Sequence, residues 1–338
     1  MRSGRMVLRV CVLALGGLGI AATTGVESAA VSDDWAVFAT GLTNPRHVRV
    51  GPDGALYVAE AGIGGDQLAT CEPVDNFFTQ PGPYMAGPSG RISKVLADGS
   101  RQTVAYGLPS SHDGYGDGLG PSDIAWIDGV MYVVLEGGGC SRGLPTDPAG
   151  IARINPNGTY TIVANISAFI RANPVANEPV CGPEGDCEPD GVPHSLLAHG
   201  HHLFVVETNH NSILRVDVRT GAIERRHDLS VQDPAPIILI RHGNRFLLGG
   251  FDGLIQTFDD KSGPVSTFDS GYNPIVDMTM IGNHLYVLEA FSGDVPYAPQ
   301  TGRVVRRAPD GHANSSRVNW TYPSVWHEAP MERSTCRR

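Results

Sequence analysis

The sequence has few charged residues and almost no lysine. Charged residues make up 18% of the 338 positions, the formal net charge is −10, and Lys94 and Lys261 are the only lysines. Nucleic-acid binding calls for a basic patch or stripe, so this balance argues against it. Because nearly all the basic residues are arginines, the composition also suggests a GC-rich gene.

Several common catalytic and metal-binding motifs are missing. The sequence has no G-x-S-x-G nucleophile elbow, no P-loop and no H-E-x-x-H pair, so the usual hydrolase, nucleotide and zincin hypotheses have no support. No C-x2-C pair or Cys/His set has the spacing of a zinc site. Helical periodicity is absent too, while 42 glycines and 25 prolines indicate many short strands joined by turns.

Long apolar runs are confined to the N-terminus. Arg2 and Arg5 precede the run MVLRVCVLALGGLGIAA, and ESAA supplies small residues for cleavage after about Ala30. No later run approaches the ~20 apolar residues that a membrane span needs. We expect residues 1–30 to be a signal peptide and the mature protein to be a secreted or periplasmic monomer without a membrane span.

Five cysteines remain once Cys11 is removed with the signal peptide. An exported protein can form disulfides. Cys181 and Cys187 bracket the short polar loop CGPEGDC and are predicted to pair. Cys71 and Cys140 both lie in loops after strands and form a possible second pair. Cys336 is left over.

The sequence contains an internal repeat. The stretch GLTNPRHVRVGPDGALYVAEAG at 41–62 has relatives at 118–138, 191–208, 235–250 and 273–290, each with a proline, an apolar strand, a tight turn and a second apolar strand. A third strand follows each copy, and a fourth closes most units. Four antiparallel strands in a compact unit of ~40 residues are typical of a β-propeller. The predicted fold is therefore all-β, with five in-frame propeller blades over residues 31–311.

The two ends of the chain suggest a sixth blade that is incomplete. Residues 35–41, WAVFATG, resemble a fourth strand without its unit, and such a strand commonly closes the last blade. No sixth repeat is readable in the tail at 312–338. The tail can nevertheless be back-translated into codons with a GC preference. When these codons are read from the third base of the His312 codon, they permit a string that contains GPDGALYV, identical to residues 51–58. Eight such matches in a row have a chance probability on the order of 10^-5 or less, and they fall at the repeat's own spacing. We interpret the tail as a frameshifted remnant of blade six, which resequencing of the gene would test.

The order of motifs along the chain resembles that of the ScyD/ScyE family of exported proteins. The resemblance rests on NPRHVRVGPDGALYVAEAGIGG, GRISKV, GLPSSHDGYGDGLGPSDIAW and LYVLEA, and it covers about residues 35–311. It implies a six-bladed propeller of the NHL and gluconolactonase-like group. It implies no established reaction, because the biochemical role of the family is poorly defined.

The residues that open the innermost strand of each blade vary, while their neighbours repeat. In a propeller this strand lines the channel, and ligand sites gather at its mouth. We predict a ligand site at the channel mouth from six such residues: Arg46, His47, Asp123, His194, Ser195 and Asp277. The alternative is that the Asp and Ser residues cap turns and bond backbone amides between blades.

Carboxylates at the ends of the second strands are weaker candidates. Glu60, Glu136, Glu207 and Glu289 hold this place in four units. Paired carboxylates suggest acid–base or metal chemistry, but a residue repeated at one blade position more often bonds its own blade. The resemblance implies a metal ligand from an early blade, so Glu60 is kept as a metal candidate. The metal candidates are Glu60, Asp123 and Asp277, for a divalent cation such as Ca²⁺ or Zn²⁺.

Two functions stay open at this point. The first is a binding scaffold for a small molecule or an extracellular protein, with loops at 62–89 and 109–149 shaping one face. The second is a metal-dependent lactone or ester hydrolase, in which a cation polarises the carbonyl and activates water, with His47, Asp123 or Asp277 as ligands or base. One scaffold hosts many functions, so the fold does not choose between them.

Overall fold

The computed structural model describes residues 37–68, 83–114, 118–182, 185–259, 263–291 and 302–309, together with the backbone of 313–317. Within this part of the chain, five antiparallel sheets follow one another and form the five blades of a β-propeller. The all-β prediction is confirmed. The predicted signal peptide lies outside the described residues, as does the tail beyond residue 317.

Each blade is built from strands that are consecutive in the chain. Blade one contains β1 (Pro45–Val50), β2 (Leu56–Glu60), β3 (Gln67–Leu68), β4 (Met85–Val95), β5 (Arg101–His112) and β6 (Gly118–Leu119). Blade two contains β7 (Pro121–Ile127), β8 (Val130–Leu135), β9 (Gly150–Ile154) and β10 (Tyr160–Asn165). Blade three contains β11 (Pro193–His199), β12 (His202–Glu207), β13 (Ser212–Asp217) and β14 (Ile223–Asp228). Blade four contains β15 (Pro236–His242), β16 (Arg245–Gly250), β17 (Ile255–Asp259) and β18 (Ser266–Asp269). Blade five contains β19 (Ile275–Ile281), β20 (His284–Glu289), β21 (Arg303–Arg307) and β22 (Ala313–Arg317), so its last strand lies past residue 311.

The turn between the first two strands is the most regular feature of the repeat. In GPDGALYV, Gly54 has a φ of 77°, a left-handed conformation that favours glycine. The Asp53 carboxylate accepts a hydrogen bond from the Ala55 amide at 3.2 Å, as aspartates in turns commonly do. The four later copies also place a glycine with positive φ at this turn: Gly129, Gly200, Gly243 and Gly282. The conserved geometry explains why this stretch is the clearest sign of the repeat.

Antiparallel order places the long connections of the described residues on one side of the molecule. Because strands alternate in direction, the loops between second and third strands and those between consecutive blades emerge at the same rim. We call this side the long-loop rim; of the described residues it carries 61–68, 83–84, 136–149, 166–182 and 185–192. The first strand of each blade begins at the same rim, so the predicted channel mouth lies beside these loops. Parts of the predicted loops at 62–89 and 109–119 are ordered as the outer ends of β4 and β5.

One short helix, α1 (Ile166–Ala172), interrupts the all-β pattern. Asn165 caps its N-terminus by accepting a hydrogen bond from the Ala168 amide at 2.8 Å. Ile166 and Ile170 pack into the core between blades two and three. A helix of two turns is too short to show periodicity, so the sequence did not predict it.

Apolar cores fill the spaces between consecutive sheets. Four separate clusters of buried side chains join sheets one and two, two and three, three and four, and four and five. No cluster among the described residues joins sheet five to sheet one. The predicted closing strand at 35–41 is described only from residue 37, and residues 37–41 form no strand. Ala39 packs instead against Val58 and Val95, on the face of sheet one that points away from sheet two.

No helix in the described part of the chain is both long enough and apolar enough to cross a membrane.

Candidate functional site

The residues predicted to line the channel mouth occupy equivalent positions in the five blades. Every sheet shows a shift in register, a β-bulge, just after its first residue pair. Bulges re-aim side chains, and this one sits at the start of each inner strand. The equivalent residues are His47, Asp123, Ser195, Ile238 and Asp277. The register thus supports the alignment on which the ligand-site prediction was based.

Asp123 connects three blades. It is fully buried, and its carboxylate accepts two hydrogen bonds from the Arg49 guanidinium, at 2.7 and 2.5 Å. It also accepts from the amides of Leu196 at 2.8 Å and Ile124 at 2.7 Å. Burial by itself would raise the pKa of Asp123, but Arg49, His47 and the hydrogen bonds outweigh it and hold the pKa below its usual value. Both oxygens are therefore engaged within the fold, as the alternative interpretation expected.

His47 is held in one tautomer. Its Nδ1 donates to the Ser122 carbonyl at 2.9 Å, so Nε2 is the lone-pair acceptor, and Nε2 is buried without a hydrogen-bond partner. The side chain is only 4% exposed, and burial lowers its pKa. Neutral His47 therefore offers one acceptor atom inside the protein.

Glu136 and His194 form a second pair beside His47. Glu136 Oε1 lies 3.0 Å from His194 Nδ1, while Oε2 is buried without a hydrogen-bond partner. Burial opposes ionisation, but His194 and Arg46 outweigh it and lower the pKa of Glu136 to about 2. The ring of His194 meets that of His47 edge-on, with centroids 5.3 Å apart. These contacts link three side chains in a row: His47 of blade one, His194 of blade three, and Glu136, which follows β8 of blade two.

Glu136 does not belong with the other three carboxylates. Strand register pairs Pro121 with Leu135, whereas the equivalent partner is Glu60, Glu207 or Glu289 in blades one, three and five. Those three each accept a backbone N–H at the start of their own blade, from Thr43, Val192 and Asn273. The grouping of Glu136 with them was wrong by one residue.

The remaining predicted residues lie around the same mouth. Ser195 is fully buried, and its Oγ has no hydrogen-bond partner. Arg46 donates to the Gly118 carbonyl at 2.5 Å, and its charge acts on Glu136. Asp277 accepts from the Met278 amide at 2.7 Å and interacts electrostatically with His47. Blade five thus contributes a carboxylate to the channel near blade one.

A buried charged network supports the long-loop rim, and sequence reasoning missed it. Arg142 is completely buried and pairs with Glu188 at 2.9 Å, and the Tyr84 hydroxyl donates to the other oxygen of Glu188 at 2.5 Å. The Arg142 guanidinium also lies 5.7 Å from the centre of the Tyr84 ring. These residues come from three loops far apart in sequence, so no local pattern could reveal the contact. The network fixes the loops that surround the mouth.

Disulfides stabilise the same loops. Cys181 and Cys187 are bonded as predicted, and Glu188 of the network follows directly. Asp190 then accepts from the Ser141 amide at 2.7 Å and pairs with Arg171 at 3.0 Å. Cys140 is also disulfide-bonded. Its predicted partner, Cys71, lies outside the described residues.

The metal candidates do not form a cation site in the described part of the chain. No three of the described His, Cys, Asp and Glu side chains come together in a way that could hold a metal ion. Glu60 uses its oxygens on the Thr43 amide at 2.6 Å, Arg101 at 3.2 Å and the Ser93 hydroxyl. Both oxygens of Asp123 accept hydrogen bonds from Arg49 and from backbone amides. No set of described residues thus fits a divalent cation, and the divalent-cation cofactor stays an untested prediction.

Comparisons with known proteins inform the fold. No protein-family model matches the chain, and no curated protein matches it either. Among solved structures, a protein of unknown function from Bacteroides thetaiotaomicron VPI-5482 is similar with a TM-score of 0.50 and 12% identity, over 82% of this chain and 59% of that one. The extracellular domain of BT4673 from B. thetaiotaomicron has a TM-score of 0.45 and 14% identity, and the match covers 82% of this chain but only 30% of that one. BamB from Moraxella catarrhalis has a TM-score of 0.39 and 12% identity, over 74% of this chain and 56% of that one. At such identities the likeness concerns the fold alone.

Proposed function

We propose that this protein is an exported binding propeller of the ScyD/ScyE type that takes a small, neutral, hydroxyl-bearing molecule at the channel mouth. One observation carries the proposal: three polar atoms at this mouth, His47 Nε2, Glu136 Oε2 and Ser195 Oγ, are buried without a hydrogen-bond partner. Each unsatisfied buried polar group costs about 1–3 kcal/mol. Three such atoms at one rim favour a bound molecule that satisfies them.

The chemistry of these atoms selects the ligand class. His47 Nε2 and the Glu136 carboxylate can only accept hydrogen bonds, because His47 already donates through Nδ1 and Glu136 is ionised. A ligand that satisfies both must carry at least two donors. An anion would be repelled by the carboxylate, and a cation would meet Arg46 and Arg49 nearby. A neutral molecule with several hydroxyl groups, such as a polyol or sugar, meets all three conditions.

Export is supported by the disulfides and by the apolar N-terminus. Disulfide bonds persist in oxidising compartments and are rare in the cytosol. The Cys181–Cys187 bond and the bonded Cys140 fit an oxidising compartment. We place the mature protein outside the cytoplasm, as the signal-peptide pattern predicts. The metal-dependent hydrolase alternative has no observation that specifically favours it.

Binding can be measured directly on the purified chain. The probes are D-glucose and myo-inositol, with gluconate and glucosamine as charged counterparts, measured by thermal shift and isothermal titration calorimetry. We expect the neutral probes to bind and Glu136→Gln or Ser195→Ala to weaken them about tenfold, the loss of one buried hydrogen bond. Glu224→Gln is the control, because Glu224 lies in an exposed ion pair of blade three. Failure of every neutral probe to bind, or binding that the mouth variants leave unchanged, would refute the proposal.

A further inference from the structure

Basic side chains gather on the side of the molecule opposite the long-loop rim. The turns between the first and second strands of the blades emerge there, and we call this side the hairpin rim. Two consecutive blades present the turns of interest, residues 199–202 of blade three and 241–245 of blade four; we call them the basic hairpins. They carry six basic side chains: His199, His201, His202, Arg241, His242 and Arg245.

The two basic hairpins touch each other through Arg241 and His199. Arg241 Nη1 donates to His199 Nδ1 at 2.5 Å, and its Nε donates to the Gly243 carbonyl at 2.9 Å. Arginine has no acceptor atom, so His199 offers the lone pair of Nδ1 and is neutral in this contact. The positive charge of Arg241 is therefore bonded to neutral groups. In blade three, by contrast, Arg215 of the same rim pairs with a carboxylate at 2.5 Å.

Three carboxylates lie beside the basic hairpins, and they offset the arginines while the histidines are neutral. They are Asp128, Asp217 and Asp259. Asp128 Oδ2 is 3.5 Å from His201 Nδ1, and both side chains are exposed. The other two carboxylates are the strand partners of His202 and Arg245. The surface is thus close to balanced in charge at neutral pH.

The remaining histidines face aromatic rings. His199 packs edge-on to Phe246, with centroids 5.8 Å apart, and His242 lies 6.1 Å from the ring of Phe268. The guanidinium of Arg307 lies over the same Phe268 ring. Histidines gain a proton near pH 6.5, whereas carboxylates stay ionised well below that pH. The histidines of the basic hairpins therefore make the hairpin rim positive in mild acid.

The basic hairpins lack the apolar features of most other binding surfaces. None of the exposed large hydrophobic side chains of the described residues lies on them, and their aromatic neighbours Phe204 and Phe246 are each 2% exposed. Membrane-surface binding inserts apolar side chains, single-stranded nucleic acids stack on aromatic platforms, and protein interfaces have an apolar centre. A flexible chain of carboxylates needs none of these features, because charge and hydrogen bonds suffice to bind it.

We propose that the hairpin rim binds an acidic polysaccharide in mildly acidic surroundings. A proton on His199 Nδ1 removes the lone pair that accepts from Arg241, so both groups become donors. A carboxylate between them can accept from both, through charge-assisted hydrogen bonds. Arg245 is exposed and forms no hydrogen bond or ion pair with the described residues, so it can take a second carboxylate of the same polymer. The surface lies opposite the channel mouth, and the proposal does not rest on the ligand proposed there.

The test uses the full chain and polygalacturonate, with dextran as the neutral polymer. Oligothymidine and phosphatidylglycerol vesicles represent nucleic acids and anionic membranes. Binding is measured by biolayer interferometry at low salt, at about pH 6 and about pH 7.5, which bracket the histidine range. The principal variant is Arg241→Gln with Arg245→Gln. Its matched control is Arg91→Gln with Arg153→Gln, which removes the same charge from arginines of blades one and two that form no ion pair with the described residues.

We expect polygalacturonate to bind at least about tenfold tighter at the lower pH and to be released by salt, while dextran does not bind. The principal variant should weaken binding about tenfold or more and the control less than about threefold, the difference between lost contacts and lost net charge. Replacement of His201, His202 and His242 by glutamine should remove most of the pH dependence. Thermal unfolding checks that each variant is folded, and Arg245→Gln alone, which breaks no bond of the fold, keeps the test valid where the double variant is not.

Three results would overturn the proposal. Polygalacturonate that does not bind at either pH excludes the ligand. Equal losses in the principal variant and its control would show an effect of net charge without a defined surface. Oligothymidine or vesicles that bind as tightly as polygalacturonate would assign the rim to a different class of partner.

Discussion

At the scale of single residues, the channel is held together by charges that cross blade boundaries. Asp123 of blade two bonds Arg49 of blade one and the Leu196 amide of blade three. In the described part of the chain, strand pairing stays within each of the five sheets, so such side-chain links add to the apolar cores between sheets. These links also use side chains, such as Asp123, that sequence reasoning treated as free to bind a ligand.

Replacement of Asp123 by asparagine tests this link. The variant leaves the Arg49 guanidinium, with a side chain only 24% exposed, without the carboxylate that it bonds. Breaking a buried pair from one side costs about 3–5 kcal/mol, so we expect the free energy of unfolding to fall by about 3 kcal/mol in urea denaturation. Glu224→Gln should cost less than about 1 kcal/mol, because Glu224, which pairs with Arg215 and Arg226, has a side chain that is 49% exposed. Equal effects of the two substitutions would argue against a structural role for the inner pair.

Glu136 gives a prediction for acid stability. Its pKa is lowered to about 2 in the fold, from an ordinary value of 4.5. A carboxyl with a lowered folded pKa binds fewer protons folded than unfolded, so its stabilisation is present above pH 4.5 and is lost as the pH falls toward 2. The shift corresponds to about 3 kcal/mol. We expect Glu136→Gln to be less stable than the parent at pH 6, with a difference that shrinks steadily between pH 4.5 and 2 in thermal unfolding. A constant difference would show that Glu136 stabilises by shape alone.

At the scale of elements, the repeated hairpin was predictable and the long-loop rim was not. The proline, the glycine turn and the two apolar strands are local features with a fixed spacing, so they place the blades and the inner strands correctly. Glu136 was grouped wrongly with Glu60, Glu207 and Glu289 because a one-residue change in strand pairing does not alter the composition of the strand. The contact of Arg142 with Glu188 depends on how loops of different blades meet, which only the folded chain determines. Prediction therefore succeeded where chemistry is local and failed where distant segments come together.

The loop that ends blade two provides a prediction at this scale. The disulfide joins residues only 6 apart, so it removes a modest amount of chain entropy, about 2 kcal/mol in the loop-closure estimate. Replacing both Cys181 and Cys187 by serine should lower the free energy of unfolding by about this amount. The loop also carries Glu188, so we expect faster hydrogen exchange at the amides of 138–142 on the facing loop. Unchanged exchange there would show that the Arg142 network holds without the disulfide.

At the scale of the whole molecule, the blades are unequally supported. Sheets two, three and four each pack against a neighbour on both faces, through the cores described above. Among the described residues, the apolar core of sheet five is shared with sheet four alone, and sheet one is partly covered on its outer face. Because sheet burial supplies most of the stabilisation, the five blades should not open together. This asymmetry follows from the length of the repeat series and needs no difference in strand propensity.

Native-state hydrogen exchange with mass spectrometry can rank the blades. We compare the peptide of β20, residues 284–289, with that of β12, residues 202–207, which has the same place in its blade and a similar sequence. The opening free energy of β12 should approach that of global unfolding, and that of β20 should be lower, since one of its faces contributes no buried core. Exposed sheet faces and edges also promote association, so the measurement is repeated over a range of protein concentrations. Equal protection of the two peptides at low concentration would show that blade five is covered as fully as blade three. A difference that disappears only at high concentration would identify association, and not folding, as what protects the last blade.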